Sequence, residues 1–498
     1  MKKFIFNIAI AAGLVTGFAS CEDFLDRVPT ESVVAESAMV TIADAKVAAN
    51  GLYTDLKYYS MYGTNIPCFG DVRGDNFYPR VVNGSWATIY ALDFGATQNT
   101  YFGMWQNYYN VIMKASTIIA NIETVPAESA SDKATKEDIL GQAYAVRSLC
   151  YFDLARLYGY PYMKDNGASL GAVVLPHDND KAGIVSPEEA KSLERGTVAE
   201  TYAQAEKDVV AALSHLSKDK NDGHFNYWAA KMLQGKIALY KGDWQTAYEA
   251  NSEVVETSPY RMVPNEEYVA YWNKECDDES VLELLISADG DIDGDGGFNT
   301  IYHSLWFGDA GAGRSLIPTK KWMGLFAETP NDVRASFIKD NDPKVSQIND
   351  EFKWLSKFSG NTDRPSLTFR QNNPRVFRIT DAYLMAAEAA LHINKQAEAN
   401  EYLNAVRQRA DVTAEDVVAT MDLVMTERHK EFIGEGHRFF DVMRIGGEIV
   451  RDASVDPNDY NGSPRRVIDW RRERRWEMVC QEETCERCMH TRPINQLM

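Results

Sequence analysis

The chain has 498 residues, 45% of them hydrophobic, and a formal net charge of −20. That length allows one large domain or two to three ordinary ones, and the apolar share allows a substantial core. The acidic balance excludes a protein that grips nucleic acid, because neutralising phosphates needs a basic face, and it disfavours an anionic ligand.

The chain opens on Lys2 and Lys3, an apolar stretch from Phe4 to Val15, and the small residues Gly17, Ala19 and Ser20. This order predicts a secretory signal peptide over 1–20, too short to span a bilayer of ~30 Å as a permanent helix. The residues before Cys21 resemble a bacterial lipobox, with Phe18 where Leu is usual. Cys21 is therefore the expected lipidation site, held by several acyl chains at roughly 0.8 kcal/mol per buried methylene. Glu22 and Asp23 look like the acidic signal that sends some lipoproteins to the outer face. No later segment reads as a membrane span.

Helical periodicity follows over Tyr108–Glu123, Ile139–Tyr158, Val198–Leu216, Tyr227–Tyr240, Trp244–Val255, Ile379–Ile393 and Ala397–Arg409. In the pair spanning Tyr227 to Pro259, Gly235, Gly242, Ala247 and Pro259 approximate the offsets of a tetratricopeptide-type repeat, whose small residues let paired helices approach. Such pairs bury their faces only by stacking, so several are needed. Long stretches without periodicity separate them: Tyr59–Tyr101, Tyr160–Arg195 and Tyr260–Arg375. They are rich in Trp, Tyr, Phe, Gly and Asn, which favours ordered functional loops. The expectation is an all-α fold of tetratricopeptide-like helix pairs carrying elaborated binding loops, with the ligand loops near 59–101 and 260–375. Cys68, Cys150 and Cys276 are scattered and form no disulfide framework.

Two motifs resemble the SusD/RagB family of nutrient-binding lipoproteins. One is the mature N-terminus Cys-Glu-Asp-Phe-Leu-Asp-Arg-Val-Pro-Thr-Glu, from Cys21 to Glu31. The other lies in Thr426–Gly446, with Glu427, Arg428, Glu431, Phe432, then Glu435-Gly-His-Arg-Phe-Phe-Asp441 and Arg444. The run from Arg378 to Leu384 fits as well. At the C-terminus, Thr491 to Asn495 only partly echoes the usual Pro-Ile-Pro ending, and an unfamiliar Arg- and Cys-rich segment, Arg465–His490, precedes it. The resemblance implies four repeat-like helix pairs over 21–498 and a place as lid on a SusC-like TonB-dependent transporter in the outer membrane. It implies a glycan as the commonest ligand, a peptide as another, and no covalent chemistry.

A sugar site needs flat aromatics beside groups that satisfy hydroxyls. Two loop regions offer that mixture, Asp71–Tyr90 and Asn299–Trp322. From them Asp75, Asn76, Arg80, Trp86, Tyr302, Trp306, Arg314 and Trp322 are the expected ligand-binding residues, with Trp86 and Trp306 stacking. For each aromatic, burial beneath its own loop is the competing expectation. Asp289, Asp291, Asp293 and Asp295 alternate as in a calcium loop, but Thr300 stands where the bidentate Glu should be, so a solvated acidic turn competes and no other cofactor is expected. Cys480, Cys485, Cys488 and His490 match no common zinc spacing. The Glu435–Asp441 run reads as a structural cluster, Arg438 and Asp441 satisfying buried helix ends around a packed His437. A secreted glycoside hydrolase is the alternative function, since paired carboxylates leave no local signature.

Overall fold

Most helices of this chain start where a side chain can cap them. The computed structural model describes residues 39–79, 86, 89–90, 103–177, 182–286, 316–342, 352–358, 360, 362, 372–451 and 466–469. Its longer helices are α1 (Ile42–Leu56), α2 (Asn65–Val72), α3 (Gly103–Asn121), α4 (Ala130–Tyr158), α5 (Val198–His215), α6 (Tyr227–Lys241), α7 (Trp244–Thr257), α8 (Ile379–His392), α9 (Gln396–Ala410), α10 (Met421–Glu431) and α11 (Arg438–Arg444). Thr41, Ser129 and Thr197 open α1, α4 and α5 with reciprocal capping boxes to Asp44, Asp132 and Glu200. Each box satisfies two backbone N–H groups that the helix itself cannot.

From α3 to α9 each helix packs against the next, and α1 lies on α3 and α4. This continuous stack is the all-α repeat scaffold expected from the periodicity. Close approach is bought by small residues. A Cβ on Gly235 of α6 would lie 2.4 Å from Asn251 Nδ2 on α7. Gly242, at φ 84°, makes the left-handed turn between those two helices. In α8, Ala382, Ala386, Ala387, Ala389 and Ala390 are fully buried. Cys68 and Cys150 are buried free thiols and Cys276 is half-buried, as scattered single cysteines should be.

Among the described residues the strands form four two-stranded antiparallel pairs. They are β1 (Phe77–Pro79) with β3 (Leu316–Pro318), β2 (Ser280–Glu283) with β6 (Arg375–Arg378), β4 (Ile338–Asp340) with β5 (Lys353–Leu355), and β7 (Glu448–Arg451) with β8 (Arg466–Asp469). The stretch from Tyr59 to Tyr101, expected to be irregular, contains α2 and β1. Helix α4 begins nine residues before the expected Ile139, because its first turns are solvated and polar and show no apolar period. No helix among the described residues is long and apolar enough to cross a membrane.

Candidate functional site

All eight residues of α2 are buried, and the chain leaves it through Arg73 to Asn76 into β1. There Phe77 pairs with Pro318, Tyr78 with Ile317 and Pro79 with Leu316. The two candidate ligand regions, far apart in the chain, therefore share one base. Thr319 N donates to Asn76 O at 2.9 Å, and Thr319 Oγ1 donates to Asp75 O at 2.7 Å.

Three expected ligand residues are committed to that base instead. The Asp75 side chain is 3% exposed and accepts from Arg438 Nε at 2.5 Å, Arg438 Nη2 at 3.0 Å and Lys321 Nζ at 2.6 Å. Asn76, 1% exposed, donates to Asp71 Oδ1 at 2.8 Å and accepts from His429 Nε2 at 2.7 Å. Trp322 is fully buried, and its Nε1 donates to His429 O at 3.1 Å. A side chain without exposed surface cannot stack on a sugar, so for Trp322 the competing expectation of burial holds. Trp86 is half-buried against the core. Arg80, Tyr302, Trp306, Arg314, the acidic run Asp289, Asp291, Asp293 and Asp295, and the lipidation site Cys21 lie outside the described residues, as do Cys480, Cys485, Cys488 and His490. Among the described residues no three His, Cys, Asp or Glu are grouped to hold a metal.

Behind the base stands a buried ionic cluster built from α10, α11 and the turn joining them. Glu431 Oε1 accepts from Arg378 Nη1 at 2.9 Å, Arg409 Nη2 at 2.8 Å and the Tyr268 hydroxyl at 2.9 Å; Oε2 accepts from Arg334 Nη1 at 2.9 Å. Burial pushes this carboxyl up, but Arg409, Arg378 and Arg334 outweigh it and hold it well below the usual carboxylate range. Arg428 bridges Asp441 and Asp381, each at 2.8 Å, and Arg444 joins Asp441 to Glu388. Arg438 and Asp441 thus act through ion pairs rather than by satisfying helix ends. His437 is packed as expected, stacked on Phe432 with ring centroids 4.4 Å apart.

Asp71 ties the motif to α2. Its Oδ2 accepts from Gly434 N at 2.5 Å and Gly436 N at 3.3 Å, and both glycines have positive φ. Burial raises Asp71 to about 7 against those donors and Asn76. His429 is pushed down to about 3 by burial and then by Arg438, so its ring is neutral.

The fold and this cluster can be set beside known proteins. A model described as the SusD family matches residues 316–497, and one described as starch-binding associating with outer membrane matches 23–239. A SusD superfamily protein from Bacteroides thetaiotaomicron has a solved structure that superimposes with a TM-score of 0.75 at 30% identity, covering 84% of this chain and 91% of that one. The chain belongs to the SusD family. SusD-like protein P25 of Formosa agariphila is 26% identical over 506 residues, covering 90% of this chain and 91% of its own length. A laminarin-binding SusD-like protein shares the fold, with TM-score 0.67 at 23% identity over 85% of this chain and 95% of its own.

In this SusD-family chain sequence reasoning placed Arg438 in a structural cluster without its partner Asp75, and missed His429 and Lys321, which bind Asn76 and Asp75. The signal available for His429 and Arg438 was the motif itself: ionisable residues at helical spacing among Phe432, Phe439 and Phe440 read as an interior cluster, not a solvated face; Lys321 lies outside the motif and had no such signal.

Proposed function

We propose that this protein is a cell-surface lipoprotein of the outer membrane, anchored through Cys21, that captures a glycan and hands it to a SusC-like TonB-dependent transporter without covalent chemistry. The observation that supports the reading is the β1 and β3 pairing, which joins the strands that adjoin the two regions rich in aromatics and amides. Membership of the SusD family supports it, as does a family description that names starch binding and outer-membrane association. The laminarin-binding neighbour supports the choice of a glycan.

The test is titration of the purified protein against a panel of soluble polysaccharides, laminarin among them, and of peptides, with reducing-sugar release measured in parallel. Saturable binding of a polysaccharide without turnover, weakened about fivefold or more by Trp86→Ala or Trp306→Ala, is expected; stacking rings contribute roughly 1–3 kcal/mol each. Peptide binding alone, or steady release of reducing sugar, overturns it. Radiolabelled fatty acid should appear on the wild type and not on Cys21→Ala.

A further inference from the structure

A second feature lies inside the molecule, lined by none of the residues expected to bind ligand. A cavity of about 30 Å³ sits where α4, α6, β6 and the motif turn meet, lined by Arg156, Lys236, Trp272, Arg375, Glu435 and His437 among others. That volume holds about two water-sized guests. Its lining is rich in donors. Trp272 Nε1 and Arg375 Nη1 are buried without a hydrogen-bond partner among the described residues. Lys236 Nζ donates to Asp381 Oδ2 at 3.1 Å and carries two further hydrogens. Arg428 Nη2 donates to His437 Nδ1 at 3.3 Å, which leaves the ring proton on Nε2.

Acceptors are scarce by comparison. Both Glu435 oxygens already accept from Arg378, and Oε1 also from Lys357. Among the described residues three cations and one carboxylate line the space, while the carboxylates that pair with those cations, Asp153, Asp381 and Glu283, stand outside it. A water there would satisfy donors but find few acceptors for its own hydrogens. A guest with lone pairs and no hydrogens suits the unsatisfied donors of Trp272 and Arg375 without needing acceptors of its own.

We propose that this cavity is a binding site for one small monovalent anion of chloride size, which joins the helical scaffold to the turn beneath the ligand loops. The chain's overall acidity acts at its surface; inside, the local groups decide. Burial and then Lys236 push His437 well below its ordinary range, so its ring is neutral. The site is independent of which glycan the protein takes.

Crystals of the full chain grown in sodium bromide test it by anomalous scattering. A bromide peak in the cavity bounded by Trp272, Arg375 and Lys236 is expected, and it should weaken in Trp272→Phe, which keeps a ring and removes the donor. In solution the wild type should melt roughly 1 °C higher in sodium chloride than in sodium gluconate of equal ionic strength, for a site at about five times its dissociation constant. Arg375→Gln should abolish that difference if Trp272→Phe does not fold. Two water-like densities without anomalous signal, or equal melting in both salts, overturn the proposal.

Discussion

Asp75→Ala separates the two roles this residue can have. In the wild type the carboxylate is 3% exposed, with Arg438 bound through two nitrogens and Lys321 at 2.6 Å. At an effective dielectric of ~20, each charge pair at about 4 Å interacts by ~4 kcal/mol, much of it offset by desolvation. Removing one partner of a buried pair costs about 3–5 kcal/mol. The Lys321 side chain is 45% exposed and adds little, and the Arg438 side chain at 14% can recover some water, so the loss should fall near the low end, about 3 kcal/mol. Urea unfolding of the variant should show an earlier midpoint with an unchanged slope. Arg438→Ala should cost a similar amount, and the double variant less than the sum, because the two residues share one interaction. A variant as stable as the wild type that has lost glycan binding would refute the reasoning and return Asp75 to the ligand.

Three further outcomes rest on other parts of the molecule. A Cβ on Gly70 would lie 2.0 Å from Gly436 O, so Gly70→Ala should lose about 1–3 kcal/mol, whereas Gly51 in α1 has nothing within 4 Å and Gly51→Ala should gain ~0.5–1 kcal/mol; thermal melts of the two variants should move in opposite directions. Trp322→Ala should cost about 3–5 kcal/mol in the same melts, as expected for a fully buried ring. For pH, burial pushes Asp441 up but Arg428 and Arg444 outweigh it and lower it from 3.8 to about 2. The folded form then binds fewer protons, so its contribution of about 2 kcal/mol is present above pH ~4 and lost as pH falls towards 2. Asp71 has the opposite sign. Raised from 3.8 to about 7, it keeps a proton that the unfolded chain releases, so stability should decline as pH rises from about 4 to about 7. Urea midpoints measured from pH 2 to 8 should flatten in the acid window for Asp441→Asn and in the neutral window for Asp71→Asn.

How far the fold could be read from the chain depended on whether a helix has one buried face or two. Helices α5, α7 and α9 were visible within a few residues of their ends because each sets a buried stripe against a solvated one, whereas α6 and α8, buried nearly all round, were visible through their length and their small apolar residues. Helix α2 has no solvated face, and a helix buried all round leaves no period to find. Helices α10 and α11 invert the pattern. Their ionisable residues Arg428, Glu431, Asp441 and Arg444 are interior, paired across the core, so hydropathy alone assigns them to the surface. At the candidate site, composition selected residue types suited to a sugar but could not tell which ones the protein itself consumes. Asp75 meets Arg438 across 363 positions, and no local spacing encodes a contact of that range. That consumption has a functional consequence under the proposed role. Once Asp75, Asn76 and Trp322 are locked into the base, the β1 and β3 pair can be held in register without help from a ligand. Discrimination among glycans then falls to the loop residues beyond the pair, such as Trp86, which can change without loosening the clamp beneath them.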